Sequence, residues 1–176
     1  GSLFVTTAMD IAMGISKGLA DSIIVARVNY KTRYEEDAIV ACDDYASDDE
    51  EAQKVDINSR AEGELWDLNR PLIGDCSLQL LKFDDPEAQT VFWHSSSHVL
   101  GAAIEAHFGA HLTIGPPLQS GFYYDCYMGA GTVHDEDLKK IDSKASEVCK
   151  KKFTFERLVL SKEQALKMFR SNPFKV

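Results

Sequence analysis

Cysteine is scarce in this sequence, and none of Cys42, Cys76, Cys126 and Cys149 stands in a CxxC pair. That excludes a zinc ribbon and a dithiol redox motif, and the scatter fits the reduced thiols of a cytosolic protein. There is no apolar run long enough to cross a bilayer, and no stretch reads as a signal peptide. Cations are also in short supply. Lys and Arg number 19 against 28 Asp and Glu, for a net charge of −9, which argues against a free-standing nucleic-acid binder held by charge alone. The charge is uneven, however. Residues 43–51 hold six carboxylates in nine positions, whereas residues 139–152 carry six lysines.

What is present suffices for a core. Of 176 residues, 44% are hydrophobic, enough for one domain or two small ones. The opening Gly1-Ser2 reads as an expression remnant, so the chain is expected to be an excised piece of a longer protein.

The stretch around which the rest is organised is Phe92-Trp93-His94-Ser95-Ser96-Ser97-His98-Val99-Leu100-Gly101. Two histidines four residues apart share one face of a helix. Asp85-Pro86 supplies an N-cap and a first-turn proline, Glu87 a carboxylate at the positive helix end, and Gly109 a stop. Gly101, Ala102 and Ala103 predict that another backbone comes close. Paired imidazoles can bind a metal, move a proton or hold a polar ligand, and they can equally be ordinary helix-surface residues. Ser95 replaces the glutamate of HExxH, so a zinc protease is excluded.

In chain order, Thr7-Ala8-Met9-Asp10 forms a capping box for a short helix with Ile11, Ile15 and Leu19 at helical spacing, ending at Gly18. Residues 22–29 are β-branched and predict a strand. Residues 30–62 are acidic and aperiodic, which predicts a long, mobile insertion, most mobile over 37–60. Residues 63–72 predict a short strand and a turn, and 76–83 a strand. Helix, strand, insertion, strand, strand is an α+β pattern that suggests a ubiquitin-like β-grasp, joined near Asp84-Asp85-Pro86 to a second compact unit.

Beyond the central helix, 111–113 predicts a strand ending at the rigid Pro116-Pro117 turn. Gly121 allows a tight turn and 122–127 predicts an aromatic strand, with Phe122 and Tyr124 on one face and Tyr123 and Asp125 on the other. A third helix is capped at Asp135 or its neighbour, with Leu138, Ile141, Ala145 and Val148 inward. Residues 153–160 predict a strand. Ser161-Lys162-Glu163-Gln164 is a capping box for a fourth helix, stopped by Asn172-Pro173.

Four stretches together resemble the N-terminal part of the bacterial- and eukaryote-type threonyl-tRNA synthetases. They are the run from Ala12 to Val28, then Leu65-Trp66-Asp67-Leu68-Asn69-Arg70-Pro71-Leu72, then Trp93-His94-Ser95-Ser96-Ser97-His98, and finally Ile114-Gly115-Pro116-Pro117 followed by Gly121-Phe122-Tyr123-Tyr124-Asp125. The resemblance covers all but about 30–62. It implies a TGS domain of β-grasp fold over 1–84. It also implies a two-layer α/β editing domain from 86 to 176, incomplete at its C-terminus, which hydrolyses serine wrongly attached to threonine tRNA.

The residues it implies as catalytic are His94, His98 and Lys175, with Tyr124, Asp125 and Gly115 binding substrate. Core packing for Tyr124 and plain solvation for Lys175 remain the alternatives. Ser97 stands where alanine is usual in that family, and the second editing motif, a Cys…His pair, is not contained in the chain. No cofactor or metal is implied for these residues; ATP, magnesium and zinc belong by resemblance to the parent enzyme. The implied partner is the 3′ end of threonine tRNA, in the cytoplasm, with no membrane and with dimerisation through other domains. The rival readings are a trans-editing hydrolase of the alanyl-tRNA type and a non-catalytic TGS module that binds tRNA or regulates.

Overall fold

A computed structural model describes residues 6–33 and 63–176. The acidic stretch expected to be a mobile insertion, and Cys42 with it, therefore lies outside the described residues, except for residues 30–33. The chain divides into two compact units, 1–91 and 92–176.

The first unit is built on a three-stranded antiparallel sheet. Helix α1 (Ala8–Ile15) begins at the expected capping box: Asp10 N–H donates to Thr7 Oγ1, and Thr7 N–H to the Asp10 carboxylate. It stops earlier than expected. Ser16 turns extended and caps a separate turn, α2 (Lys17–Ala20). The buried face is Ala8 and Ala12, whereas Ile15 is 66% exposed, so the inward stripe is made of alanines rather than the isoleucines.

Strand β1 (Ile23–Arg33) is the central strand, between β2 (Glu64–Trp66) and β3 (Gly74–Lys82). It runs four residues past the expected end, because Tyr30, Thr32 and Arg33 still pair with Cys76, Asp75 and Gly74. A register shift between Ile23 and Val25 re-aims the start of the strand. Ile23 thereby joins Ala26, Val28, Trp66 and Leu68 against α1, while Val25 faces Leu81. Tyr30 meets Trp66 edge-on at 5.4 Å and accepts a bond from Ile73 N–H, and Arg70 lies over the Trp66 ring.

Arg27 is buried on the Val25 face and pairs with Glu87 in the first turn of α3 (Pro86–Phe108). Asp85 caps that helix through Glu87 N–H, as the sequence predicts. Ala88 and Val91 pack with Val25 and Leu81, so the two units part between Val91 and Phe92, inside α3.

In the second unit α3 ends at Gly109, in the left-handed conformation at φ 63°. Four two-residue strands follow: β4 (His111–Leu112), β5 (Pro117–Leu118), β6 (Gly121–Phe122) and β7 (Cys126–Tyr127). β4 pairs with β7 and β5 with β6. The strand expected over 122–127 is thus broken at Tyr123-Tyr124-Asp125. Phe122 and Tyr124 nevertheless share a side, with Phe122 against Trp93 and Tyr124 against His98.

Helix α4 (Asp135–Lys151) starts after His134, whose N–H donates to the Asp137 carboxylate, and buries Ile141, with Ala145 packed beside it. Leu138, expected inside, is 57% exposed. Residues 153–160 form no strand. Their alternation suits one, but a strand needs a hydrogen-bonded neighbour, and none pairs with it among the described residues. Phe153 and Phe155 are correspondingly exposed. Helix α5 (Lys162–Phe169) starts at the expected Ser161–Gln164 capping box.

Candidate functional site

The two histidines of α3 do stack on one face. Their Nε2 atoms lie 3.1 Å apart, with ring centroids 4.9 Å apart. Such a bond needs one imidazole to donate Nε2–H and the other to be neutral, so that it accepts at its lone pair. The surroundings favour this state. Burial lowers the pKa of His94. For His98, desolvation of the ring acts first, then the charges of His94 and Lys175, all in the same direction.

Tyr124 forms the facing wall, edge-on to His98 at 5.8 Å between centroids. The sequence prompts a close backbone approach at Gly101; the structure puts the Tyr124 ring there instead. A Cβ at Gly101 would lie 2.7 Å from the Tyr124 ring, and one at Gly115 would lie 2.3 Å from it. The ring therefore occupies a slot between a helix glycine and a loop glycine. The loop is held by Asp125, which contributes through its backbone: Thr113 N–H donates to its carbonyl and its own N–H donates to Ile114. The Asp125 residue is exposed.

Lys175 is exposed, and its charge is felt at His98. Its place follows from the chain before it. Asn172 Nδ2 donates to Leu112 O at 2.8 Å, Phe174 N–H donates to the Asn172 side chain, and the Phe174 ring meets Tyr127 at a tilt of 51°, centroids 5.4 Å apart. The structure thus gathers His94, His98 and Tyr124 side by side, sets Gly115 against the Tyr124 ring, places the Lys175 ammonium 5.7 Å from the centre of the Phe169 ring, and uses Asp125 as scaffold.

Two contributors escaped the sequence reading. Ser97 is completely buried, and its hydroxyl lies 2.6 Å from Gly115 O and 2.7 Å from His94 O. The signal was a serine within an apolar helical run, a poor structural choice unless bonded. Gly101 predicts a close backbone approach, and it is a ring that lies there.

Beside the pair is a cavity of about 310 Å³, bordered by His98 and Ser95 at one side and by Val99, Val148, Phe153 and Phe155 elsewhere. Among the described residues, no three His, Cys, Asp or Glu side chains gather as a metal site, and no helix is long and apolar enough to cross a membrane. Chemically the arrangement offers neutral imidazole as base or proton relay, a nearby cation for developing negative charge, and an aromatic wall.

Comparison with known proteins adds to this geometry. Residues 5–82 match the TGS domain family. The chain is 42% identical over 170 residues to threonine–tRNA ligase 1, cytoplasmic, of Rattus norvegicus, covering 97% of this chain and 20% of the relative. It is 42% identical over 176 residues to the cytoplasmic threonine–tRNA ligase of Caenorhabditis elegans, covering 100% and 20%. It is 40% identical over 175 residues to threonine–tRNA ligase 2, cytoplasmic, of Homo sapiens, covering 99% and 18%. The chain spans about a fifth of the length of these relatives.

Proposed function

We propose that residues 92–176 form one wall of an editing site that hydrolyses serine wrongly esterified to threonine tRNA; the match of residues 5–82 to the TGS domain family and the similarity of nearly the whole chain to cytoplasmic threonine–tRNA ligases support this reading. The observation that carries the reading is the His94–His98 pair, bonded Nε2 to Nε2 and held neutral by its surroundings. Ester hydrolysis at neutral pH needs a base that is unprotonated there.

The chemistry follows from the groups present. A water attacks the ester carbonyl and gives its proton to the imidazole pair. Negative charge collects on the carbonyl oxygen, where the Lys175 ammonium stabilises it. The tetrahedral centre then collapses, the ribose oxygen leaves and takes up the proton, and serine is released. Tyr124 and Gly115 line the side against which the amino acid lies. The apolar cavity beside His98 suits the flat base of the terminal adenosine.

Such a site has a physical reason to exist. Serine lacks one methyl of threonine, and one methyl is worth only about 1–3 kcal/mol of discrimination at a binding pocket. A second pocket too tight for that methyl removes the error and spares the correct product.

In this reading the parent protein is a cytoplasmic threonine–tRNA ligase that takes part in protein synthesis. Its ATP, magnesium and zinc serve the charging reaction in other domains, and its partner is the 3′ end of threonine tRNA. The test is hydrolysis of seryl-tRNA made on threonine tRNA by a longer protein carrying this chain. His94→Ala and Lys175→Ala are each expected to cut hydrolysis by at least about tenfold and leave threonine charging intact. Unchanged hydrolysis in both variants would make the non-catalytic tRNA-binding module the better reading.

A further inference from the structure

Ser97 is the one completely buried polar side chain among the described residues. It lies on α3 between the two histidines, yet it points away from them, into the loop that carries Gly115. Its Oγ is 2.6 Å from Gly115 O, eighteen residues along the chain, and 2.7 Å from His94 O. A hydroxyl has one hydrogen to give, so it serves one carbonyl at a time. The His94 carbonyl belongs to a helix, where a serine commonly bonds back by three or four residues. The Gly115 carbonyl belongs to an irregular loop, so the bond to it is the one that ties two elements together.

That tie sits at the edge of the Tyr124 slot. The ring is bounded by Gly101 on α3 and by Gly115 on the loop, with no room for a Cβ on either side. The Ser97–Gly115 bond sets how far apart those two walls stand. The ring so held meets His98 edge-on. Ser97 is also adjacent to His98 in sequence and reaches the carbonyl of His94, so a shift at this point moves both imidazoles relative to the ring.

We propose that Ser97 is a positioning residue: its buried hydroxyl fixes the width of the Tyr124 slot and thereby the placement of the ring against the His94–His98 pair. The proposal rests on this geometric coupling and not on the editing reading, since alanine is usual at this position in the family that the chain resembles. Ser97→Ala removes the donor and leaves the Gly115 carbonyl buried without its partner. Ser97→Thr keeps the hydroxyl and adds one methyl. Ser97→Cys keeps the size and weakens the donor.

The experiment uses the 176-residue chain labelled with 13C at glycine carbonyls and 15N at histidine. Three quantities are read by NMR in each variant that retains the wild-type circular dichroism: the Gly115 carbonyl shift, the Tyr124–His98 ring contact, and the His98 titration midpoint. In Ser97→Ala, the Gly115 carbonyl resonance is expected to move, the ring contact to weaken and the His98 midpoint to change. Ser97→Thr is expected to restore all three toward wild type.

Should Ser97→Ala not fold, Ser97→Cys carries the same measurements. An unaltered ring contact and an unaltered His98 midpoint in a folded variant that lacks the hydroxyl would overturn the proposal. Loss of the NMR coupling in a protein whose wild type shows no hydrolysis would instead keep the proposal and overturn the editing reading.

Discussion

Asn172 and Leu112 are sixty residues apart in sequence and joined by one bond, from the Asn172 amide to the Leu112 carbonyl, across 2.8 Å. The same asparagine accepts from Phe174 N–H through its side chain and from Lys175 N–H through its backbone carbonyl. One residue thus anchors the C-terminal segment to β4 and sets where Lys175 lies.

Asn172→Ala should therefore act at a distance. The variant is expected to lose about 1 kcal/mol of stability, the ordinary worth of such a bond. Its sharper effect is on His98. The Lys175 charge helps to hold the His98 pKa down, so freeing the segment should raise it. Lys175→Gln should raise it too, with no loss of the anchor. NMR titration of the imidazoles compares the two; an unmoved His98 in both would show that Lys175 is too far away to matter. Added salt should shrink the effect, because the lysine is exposed.

A second prediction concerns pH. Both imidazoles titrate below their ordinary value of about 6.5 in the folded chain. The unfolded chain therefore binds more protons than the folded one between the folded values and 6.5. Stability rises with pH wherever the unfolded state binds more protons. The chain should accordingly be at its full stability above about 6.5 and weaken as the pH falls below it. Asp10 and Asp137, whose pKa values are held down by hydrogen bonds from Thr7 and from His134 and His107, weaken it further only in more acid solution. Urea unfolding at pH 7.5 and 5.5 reads the difference, and replacing both histidines by glutamine should flatten it.

The buried ion pair of the first unit gives a third. Arg27 is 6% exposed and Glu87 only partly exposed. Breaking a buried pair from one side leaves a charge without a partner, which costs about 3–5 kcal/mol; solvent reaching Glu87 places this case at the lower end. Glu87→Gln should thus lower the melting temperature clearly. A double variant, Arg27→Met with Glu87→Leu, should recover much of the loss, since an apolar pair of similar size avoids desolvating two charges. Equal melting temperatures for the single variant and wild type would show the pair to be loosely held.

The outline of this fold was legible wherever a local signal decides the structure. The capping boxes at Thr7 and Ser161, the Asp85 cap and the Gly109 stop are settled by side chains within a few residues of the backbone groups they serve. The halves that failed depend on partners far along the chain. Residues 153–160 alternate as a strand does but find no neighbour among the described residues, and 122–127 is broken at Tyr123-Tyr124-Asp125, where the Tyr124 ring packs against Gly101 and Gly115. Periodicity likewise favours Ile15 and Leu138 as core residues, and both are exposed among the described residues. The histidine pair was legible as a pair from its spacing alone. The Ser97 bond was not, since nothing in a sequence says that a hydroxyl will meet a carbonyl eighteen residues on.

The slot itself can be tested by a substitution that helix propensity would recommend. Alanine is better than glycine inside a helix by about 1 kcal/mol. Gly101 lies well inside α3, so on propensity alone Gly101→Ala should stabilise the chain. The structure predicts the reverse. A Cβ at Gly101 would stand 2.7 Å from Tyr124 Cε2, closer than carbon atoms tolerate, and Gly115 already packs as tightly against the same Cδ2–Cε2 edge of the ring. Overpacking of this kind costs typically about 1–3 kcal/mol. The single variant should therefore be destabilised, and its Tyr124–His98 contact should change. Tyr124→Leu alone should also be destabilised, through lost packing. In the double variant the smaller side chain leaves room for the methyl, so the losses should not add; the coupling between the two sites should be favourable and of the order of 1 kcal/mol. A double-mutant cycle of urea unfolding free energies measures it. Simple additivity would mean that the ring does not fill the slot in solution, and would remove the physical basis for treating Gly101 and Tyr124 as one wall of the histidine site.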